Sequence, residues 1–540
     1  MPRCNCADTA GAKRESVLTS AWSFNARKLD KAAKGARQMA TDTAASSVSG
    51  RTAAVGAALR RNEKWDQRDW SMISQNVRRL QVRIAKAVQE GRWNKACALQ
   101  RLLTRSYSGK ALAVKRVTEN NGKRTPGIDR VIWRTPTQKL TAIRELRRRG
   151  YRPSPLRRLY IPKSNGTMRP LGIPTMKDRA MQALYLLALI PIAETTGDGF
   201  SYGFRPGRSA HDAMERCMRL LSHSGSPEWI FEGDIKSCFD RINHDWLLAN
   251  VPTERAILHK WLKAGFMDGS TLYPTDEGTP QGGPVSPVLA NLALDGLQEM
   301  LRQYFPKHHR KQVNLLRYAD DFIITGATRE ILVEEVQPLV EQFLSERGLV
   351  LSPTKTVITH VDDGFDFLGQ TVRRANGQLL IKPAKKSIHA VLTKIRGIIR
   401  GSRGVSAAVL VGRLNPVVRG WTNYHRHVAC NKAFSSVDNE IWKGLWRWAR
   451  RRHPNKSAYW VKDKYFPVRG SRRWQFSGTF EDANGLKRVT AIVFANSVRF
   501  QRHIPIRSDA NPFDPEWEVY FQKRRRRPSV ARAAFSPEGV

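Results

Sequence analysis

In the first structured part of the chain, apolar and polar residues alternate with a helical period. From Trp65 to about residue 149, large apolar residues recur at mainly three- and four-residue spacing among many basic residues. The pattern predicts an N-terminal helical region over 61–150 with a cationic face. A loop marked by Gly and Pro, 120–129, precedes a further basic helix predicted at about 137–149. The apolar positions of the first stretch are Val77, Leu80, Ile84, Val88, Trp93, Cys97, Leu99, Leu102 and Leu103.

The pattern then changes to alternating strands and helices over 151–375, which predicts an α+β centre. The clearest strand sequences are 158–162, 229–235 and 313–318. The longest apolar run, 183–193, contains Pro191 and is too short to span a bilayer. We therefore expect this run to be a buried core helix, and we expect no membrane partner.

The C-terminal third is helical and basic. Residues 381–475 carry 22 Lys and Arg against three acidic residues, with six Trp, in about three helical stretches separated by turns near Gly404 and Asn431. Short Val- and Phe-rich runs follow in 476–520, and then a basic tail. In contrast, residues 1–60 hold few large apolar side chains, too few to offset the entropy of ordering, so this leader is predicted to be mostly disordered.

Charge narrows the class of partner. The chain has 92 Lys and Arg against 47 Asp and Glu, a formal net charge of +45, and such an excess calls for a polyanion. Nucleic acid is therefore the expected partner. The N-terminus shows no secretory signal and the six cysteines are scattered, which predicts an intracellular, cytoplasmic protein. Cys4 and Cys6 could bind a metal, but such a pair in a Ser/Thr-rich leader usually has no such role.

Candidate chemistry centres on Tyr318-Ala-Asp-Asp321, which lies between two apolar runs. Two strands joined across this turn would form a tight hairpin with Asp320 and Asp321 at its tip. Asp234 ends another predicted strand and would lie beside them if both belong to one sheet. Three carboxylates so placed can bridge two Mg²⁺ ions. Taken singly, an Asp pair in a turn is usually solvated, and an Asp at a strand end is as often a helix cap.

Seven motifs follow one another at 161–174, 201–209, 234–239, 278–287, 318–321, 351–356 and 367–369. This ordered set resembles the group II intron reverse transcriptases, and the resemblance extends from about Trp65 to Lys523. This resemblance implies a right-hand polymerase fold, with fingers and palm over 151–375, a helical thumb or maturase-specific domain over 381–475, and a basic DNA-binding region over 476–540. The family often has Gly after the Asp of its Thr-Pro-Gly-x-Asp loop, where this chain has Arg130.

The resemblance also implies roles for single residues. Asp234, Asp320 and Asp321 would be catalytic and would ligate the two Mg²⁺ ions. The residues implied in binding the incoming nucleotide are Lys163, Arg169, Phe239, Gln281 and Lys355. Those implied in contacting primer or template are Tyr318, Gly282, Leu368 and Gly369. The alternatives are ordinary ones: Lys163 and Arg169 as surface charges, Phe239 as a core aromatic, and Lys355 as a solvated loop lysine.

Beyond the palm, 415–425 and 445–454 resemble the signature sequences of the maturase-specific domain. Arg447, Arg450, Arg451 and Arg452 are expected to bind RNA phosphates. Trp446 and Trp448 lie among them at helical spacing, so each is either a stacking surface or a core residue. Residues 511–521 resemble the segment that leads, in related proteins, into a zinc-dependent HNH nuclease with paired C-x-x-C motifs. No cysteine follows Cys430, so no nuclease is expected.

Together with these features, the resemblance implies an RNA-directed DNA polymerase that also binds its group II intron RNA as a splicing maturase and copies it during retrohoming. The expected partners are intron RNA, a DNA target and primer, and deoxynucleoside triphosphates, and the expected cofactor is Mg²⁺. One alternative is an RNA-binding splicing factor without polymerase activity. Another is a reverse transcriptase recruited to defence or repair.

Overall fold

The computed structural model describes residues 65–162, 166–279, 282–306, 308, 310–468, 474–482 and 484–526. The predicted disordered leader and the two expected nucleotide contacts Lys163 and Gln281 lie outside these residues. Within them, no helix combines the length and the apolar composition that crossing a bilayer requires.

The N-terminal region is helical, as its periodicity predicts. Its helices begin at ordinary caps: the Asp69 and Ser106 side chains accept from backbone N–H groups, and Thr135 forms a capping box with Gln138. The last helix ends earlier than predicted because Leu146 turns into the core, at 1% exposure, which leaves residues 147–149 in a loop. In the described part of this region the α-helices are α1 (Trp70–Gln89), α2 (Trp93–Arg105), α3 (Tyr107–Glu119) and α4 (Pro136–Glu145).

The conformation of the loop before α4 bears on Arg130, the position at which the family often has glycine. Arg130 adopts φ 55°, a left-handed conformation that glycine adopts without strain, which accounts for the glycine often found there in the family. Gly127 approaches the backbone of Thr175 so closely that an added Cβ would lie 2.6 Å from its Cα. The loop is therefore packed tightly against the start of the helix that follows Thr175.

The centre alternates strands and helices, so the α+β prediction is confirmed. In chain order its elements are β1 (Leu156–Pro162), β2 (Met168–Ile173), α5 (Met176–Thr196), α6 (Ala210–Leu221), β3 (Trp229–Asp234), α7 (Cys238–Arg241), α8 (His244–Asn250), α9 (Arg255–Leu262), β4 (Phe266–Asp268), β5 (Thr271–Tyr273), α10 (Ser286–Leu294), α11 (Leu297–Tyr304), β6 (Asn314–Tyr318), β7 (Asp321–Gly326), α12 (Gln337–Ser345), β8 (Val357–His360), β9 (Phe365–Phe367), β10 (Gln370–Ala375) and β11 (Gln378–Pro383).

Two four-stranded sheets organise this region. One, the fingers sheet, has the order β2-β1-β4-β5, and the other, the palm sheet, has the order β6-β7-β3-β8. Helix α5 contains the apolar run 183–193, is buried along most of its length, and packs against α1, α2 and α3. The prediction of a buried core helix there is confirmed, and α5 joins the N-terminal helices to the palm core.

The basic C-terminal third has a separate core, built from helices α13 (Lys385–Arg400), α14 (Ala407–His425), α15 (Asn431–Arg452) and α16 (Ala458–Tyr465). About three helices are predicted here, and α16 is the additional one. The hairpin of β12 (Ser477–Glu481) and β13 (Lys487–Ala491) packs on α14, where a Cβ on Gly478 would lie 2.3 Å from the Ala408 nitrogen. This hairpin therefore belongs to the thumb core.

The segment from about residue 500 to α17 (Glu518–Arg526) packs instead on the palm. Asp212 of α6 is fully buried, and it accepts from His503 Nε2 at 2.9 Å, Arg524 Nη2 at 2.6 Å and the Ile506 backbone N–H at 2.7 Å. Arg208 donates to the Ser508 carbonyl at 3.0 Å. These buried polar contacts attach the segment firmly to the palm, while its DNA-binding role stays a prediction.

Candidate active site

The acidic turn lies at the tip of an antiparallel hairpin. Strands β6 and β7 pair with Tyr318 directly opposite Asp321, so only Ala319 and Asp320 form the turn. Ala319 takes φ 57°, the left-handed conformation that two-residue hairpin turns require. The predicted hairpin is thus present, and both aspartates are fixed at its end by the register of the strands.

The third carboxylate lies on the adjacent strand. β3 pairs with β7 in an antiparallel register that places Asp234 opposite Asp321. Side chains directly opposite in such a pair have Cβ atoms roughly 4.5–5.5 Å apart. Asp234 and Asp321 are 87 positions apart in the sequence, and with Asp320 they therefore meet at one edge of the palm sheet.

The electrostatics of this edge reflect the crowding of like charges. Asp321 reaches solvent, but the surrounding protein removes part of its hydration, and Asp320 and Asp234 repel its charge. Together these effects raise the pKa of Asp321 to about 6. Partial burial and the charge of Asp234 also raise the pKa of Asp320. A cation at this edge would relieve the repulsion.

Lys355 supplies one positive charge. Its Nζ donates to both carboxylate oxygens of Asp234, at 3.1 and 3.0 Å. The loop carrying Lys355 is fixed to β3, since the Ser352 N–H donates to the Asp234 carbonyl at 2.7 Å.

Across the part of the chain that the structure describes, no three His, Cys, Asp or Glu side chains converge closely enough to hold a metal ion as they stand. Carboxylate oxygens nevertheless are the donors that Mg²⁺ prefers.

Of the residues expected to bind the nucleotide, three are described. Arg169 is exposed on β2, and its charge partly offsets the rise in the pKa of Asp320, which places it within electrostatic reach of the acids. Phe239 is half-buried in α7 and packs edge-on against Phe204 at 6.4 Å between ring centroids. Lys355 contacts Asp234 as described above.

The glycines of the Gly278–Pro287 motif approach the chain's own backbone. Gly278 has φ 82°, and a Cβ there would lie 2.5 Å from the Asp240 carbonyl carbon. Gly282 has φ 114°, and a Cβ there would lie 2.9 Å from the Gly172 oxygen of β2. This loop therefore connects the palm to the fingers sheet. The expected contact of Gly282 with template stays a prediction.

The expected primer contacts form a second tight turn. Leu368 and Gly369, between β9 and β10, both have positive φ, at 49° and 72°. Tyr424 of α14 donates its hydroxyl to the Leu368 carbonyl at 2.8 Å, and so attaches the turn to the thumb. Burial, and after it the nearby half-buried Tyr318, raises the pKa of Tyr424, so the two phenols are neighbours. Tyr424 lies within the 415–425 signature sequence, but the sequence analysis assigned it no role of its own.

Sequence reasoning also missed the support beneath the acidic turn. Arg317 is completely buried, pairs with Asp295, and donates to the Ala319 carbonyl at 3.3 Å. Gly203 lies against the same turn, where a Cβ would sit 2.3 Å from the Ala319 nitrogen. Asn291 donates to the Gly203 carbonyl at 2.8 Å. The only sequence signal was the Gly/Pro-rich motif at 201–209, which contains Gly203.

The four arginines expected to bind RNA do not all lie at one place on the thumb. Arg447, Arg451 and Arg452 line a groove of about 850 Å³ between α13 and α15, and we call it the thumb groove. Arg450 is not among its lining residues and donates to the Lys456 carbonyl at 2.9 Å. Trp446 and Trp448 pack in the thumb core, which favours the core reading for both. Further arginines of the groove are Arg396, Arg400 and Arg403.

Three family models match the chain in order. The N-terminal domain of reverse transcriptase matches residues 65–146, reverse transcriptase (RNA-dependent DNA polymerase) matches 161–372, and the group II intron maturase-specific domain matches 388–466. The right-hand polymerase fold with a helical thumb is thereby confirmed.

Curated relatives agree with these matches. Protein YkfC of Escherichia coli (strain K12) is 36% identical over 322 residues, which cover 51% of this chain and 84% of YkfC. Group II intron-encoded protein LtrA of Lactococcus lactis subsp. cremoris is 30% identical over 328 residues, which cover 48% of this chain and 54% of LtrA. The chain thus spans only about half of LtrA. On the three ordered domains and the extent of the match to YkfC, this chain belongs to the group II intron reverse transcriptase and maturase family.

Proposed function

We propose that this chain is an RNA-directed DNA polymerase that also binds a group II intron RNA as its maturase. The observation that carries the polymerase half is the register that places Asp234 opposite Asp321, beside the Asp320 turn. A protein that only binds RNA has no need of three carboxylates at one edge of a sheet, where they would repel the polyanion.

Asp234, Asp320 and Asp321 would hold two Mg²⁺ ions, which would activate the primer hydroxyl and stabilise the leaving pyrophosphate. Arg169, with Lys163, would bind the triphosphate. Phe239 would pack under the deoxyribose, and its backbone carbonyl accepts from Thr279 at 2.6 Å, which supports a fixed position for the ring. Gln281 would line the same pocket. Lys355, which pairs with Asp234 at 66% side-chain exposure, would turn toward the phosphates when a nucleotide binds.

The proposed maturase function is supported by the basic surface of the thumb. Among the described residues, six arginines line the thumb groove, and the one acid lining it, Glu440, already accepts from Arg396 at 2.8 Å and Lys443 at 3.3 Å. Phosphates of a folded RNA would neutralise the remaining charge. Retrohoming, the DNA target and the bacterial cytoplasmic location are parts of the proposal that follow from the family.

Primer extension by the full chain tests the polymerase half. With Mg²⁺, an RNA template and an annealed DNA primer, the wild type is expected to extend the primer, and Asp320→Ala or Asp234→Ala to abolish extension. Both variants should keep nearly normal affinity for RNA, because neither residue belongs to the basic surfaces. Undiminished extension by Asp320→Ala would refute the site.

The outcome also separates the alternatives. A wild type that binds intron RNA tightly but never extends a primer would favour a splicing factor without polymerase activity. Extension together with no preference for a group II intron transcript over other folded RNA would favour a reverse transcriptase recruited to another task.

A further inference from the structure

The backbone of Phe204 is strained, and its side chain reaches solvent. Its φ is 56°, in the left-handed region that bulky residues rarely adopt, and the residue is 45% exposed. Backbone strain of this kind persists only where the surrounding structure imposes it, and it is most frequent near functional sites. Phe204 is therefore held in an unfavourable conformation although its ring does not fill the core.

Two attachments impose this conformation. Before Phe204, the Tyr202 N–H donates to the Arg317 carbonyl at 2.9 Å, which joins the segment to β6 just before the acidic turn. After it, Arg205 is buried and donates to both carboxylate oxygens of Glu194, at 2.9 and 3.0 Å. The backbone on both sides of Phe204 is thus fixed to the core of the molecule, so its ring extends from a rigid base.

The ring of Phe204 contacts the ring of Phe239. The two ring planes meet at 78° with their centroids 6.4 Å apart, which is the edge-to-face geometry that aromatic pairs prefer. Phe239 is half-buried and packs partly against the main core, and its backbone carbonyl accepts from the Thr279 N–H at 2.6 Å. These contacts fix the base of Phe239, and Phe204 restrains its ring.

A restrained ring matters for the role proposed for Phe239. A phenyl ring packed under a deoxyribose would exclude a 2′-hydroxyl by contact alone, because it carries no polar group that could recognise the sugar. Exclusion of this kind depends on the ring keeping its place, since a ring that can turn aside leaves room for the additional oxygen. A neighbour that limits this movement therefore influences the choice between ribose and deoxyribose without touching the nucleotide.

We propose that Phe204 is a positioning residue that holds the ring of Phe239 in place and so sets how strictly the nucleotide pocket excludes ribonucleotides. The proposal rests on the proposed function, which supplies the pocket and the role of Phe239. It goes beyond that function by assigning part of the sugar selectivity to a residue of the 201–209 motif, which lies before β3 in the chain.

The test measures incorporation of dCTP and of CTP opposite a template guanine by the full chain with Mg²⁺, and compares the ratio of the two kcat/KM values. Phe204→Ala should lower this ratio of deoxynucleotide to ribonucleotide by about threefold to tenfold, as expected for the loss of one aromatic pair. Phe204→Tyr keeps the ring and should keep the ratio. Phe480→Ala is the matched control, because it removes a ring of similar exposure, 44%, from β12 and should leave the ratio unchanged.

A loss of folded protein would not imitate this result, because it lowers both kcat/KM values equally and leaves their ratio unchanged. If Phe204→Ala does not fold, Phe204→Gly takes its place. Glycine adopts a φ of 56° without strain, and the same fall in the ratio is expected from it.

A double variant shows whether Phe204 acts through Phe239. Phe239→Ala should lower the ratio most, and adding Phe204→Ala should cause no further fall. An unchanged ratio after loss of the Phe204 ring, or an equal fall with and without Phe239, would overturn the proposal and leave the polymerase assignment intact. A wild type that extends no primer would instead refute the proposed function, and this proposal with it.

Discussion

The palm edge and the thumb groove both gather charges of one sign, but the chain positions them differently. In the palm, strand pairing fixes Asp234, Asp320 and Asp321, and a buried arginine with a close-packed glycine supports the turn. In the thumb groove, arginines extend from the surfaces of two helices, and several donate hydrogen bonds to backbone carbonyls. Arg452, for example, donates to the Val405 carbonyl at 2.7 Å.

This difference teaches what each site can tolerate. Transfer of a phosphoryl group depends on the position of the carboxylates to within about an ångström, so the palm should fail abruptly when its geometry changes. Binding to a polyanion depends mainly on the number of cations, so the thumb should weaken by degrees.

The largest effect is expected from Asp321→Asn, which keeps the shape of the side chain and removes its charge. Extension should fall by about a thousandfold or more, because charge stabilisation at the reacting phosphate is lost. RNA affinity should be unchanged. Single-turnover primer extension measures the first quantity and filter binding the second, and extension within tenfold of wild type would contradict the assignment.

A smaller but still abrupt effect is expected from Gly203→Ala. The added Cβ would lie 2.3 Å from the Ala319 nitrogen, so the turn must shift. A shift of this kind is expected to slow extension by about a hundredfold. Gly420→Ala is the control, because no atom lies within 4 Å of a Cβ there. If both variants extend primers equally well, the support proposed for the turn is wrong.

Lys355→Met should slow extension by about tenfold to a hundredfold, the loss expected for one hydrogen bond to a charged group. Lys355→Arg keeps the cation and should recover part of the rate. The measurement is the extension rate as a function of nucleotide concentration. No change in either the rate or the nucleotide dependence would return Lys355 to the role of a solvated loop residue.

The smallest effects are expected in the thumb groove. Arg400→Gln or Arg451→Gln should each weaken RNA binding a few-fold and reduce the salt slope by about one, uniformly across RNA sequences. A double variant should weaken binding approximately as the sum of the two free-energy changes. An abrupt loss from a single substitution would mean that the thumb, like the palm, depends on precise geometry.

Local patterns in the sequence were enough to predict most of the helices and strands and the acidic turn. The hairpin at Tyr318–Asp321, the strand ending at Asp234, the buried run in α5 and the helical thumb all follow from periodicity and turn residues, which act between near neighbours. The order of the motifs then indicated the family. Element ends were less accurate, since α4 ends where Leu146 is drawn into the core, which no local signal specifies.

Only the tertiary structure decided what depends on distant partners. It placed Gly203 and Arg317 beneath the acidic turn, joined Tyr424 to the turn at Leu368, attached the 500–526 segment to Asp212, and packed Phe204 against Phe239. The sequence determined which residues carry charge and which form strands or helices. Which of those charges become neighbours depends on packing between elements far apart in the chain, and that information is not contained in any local stretch.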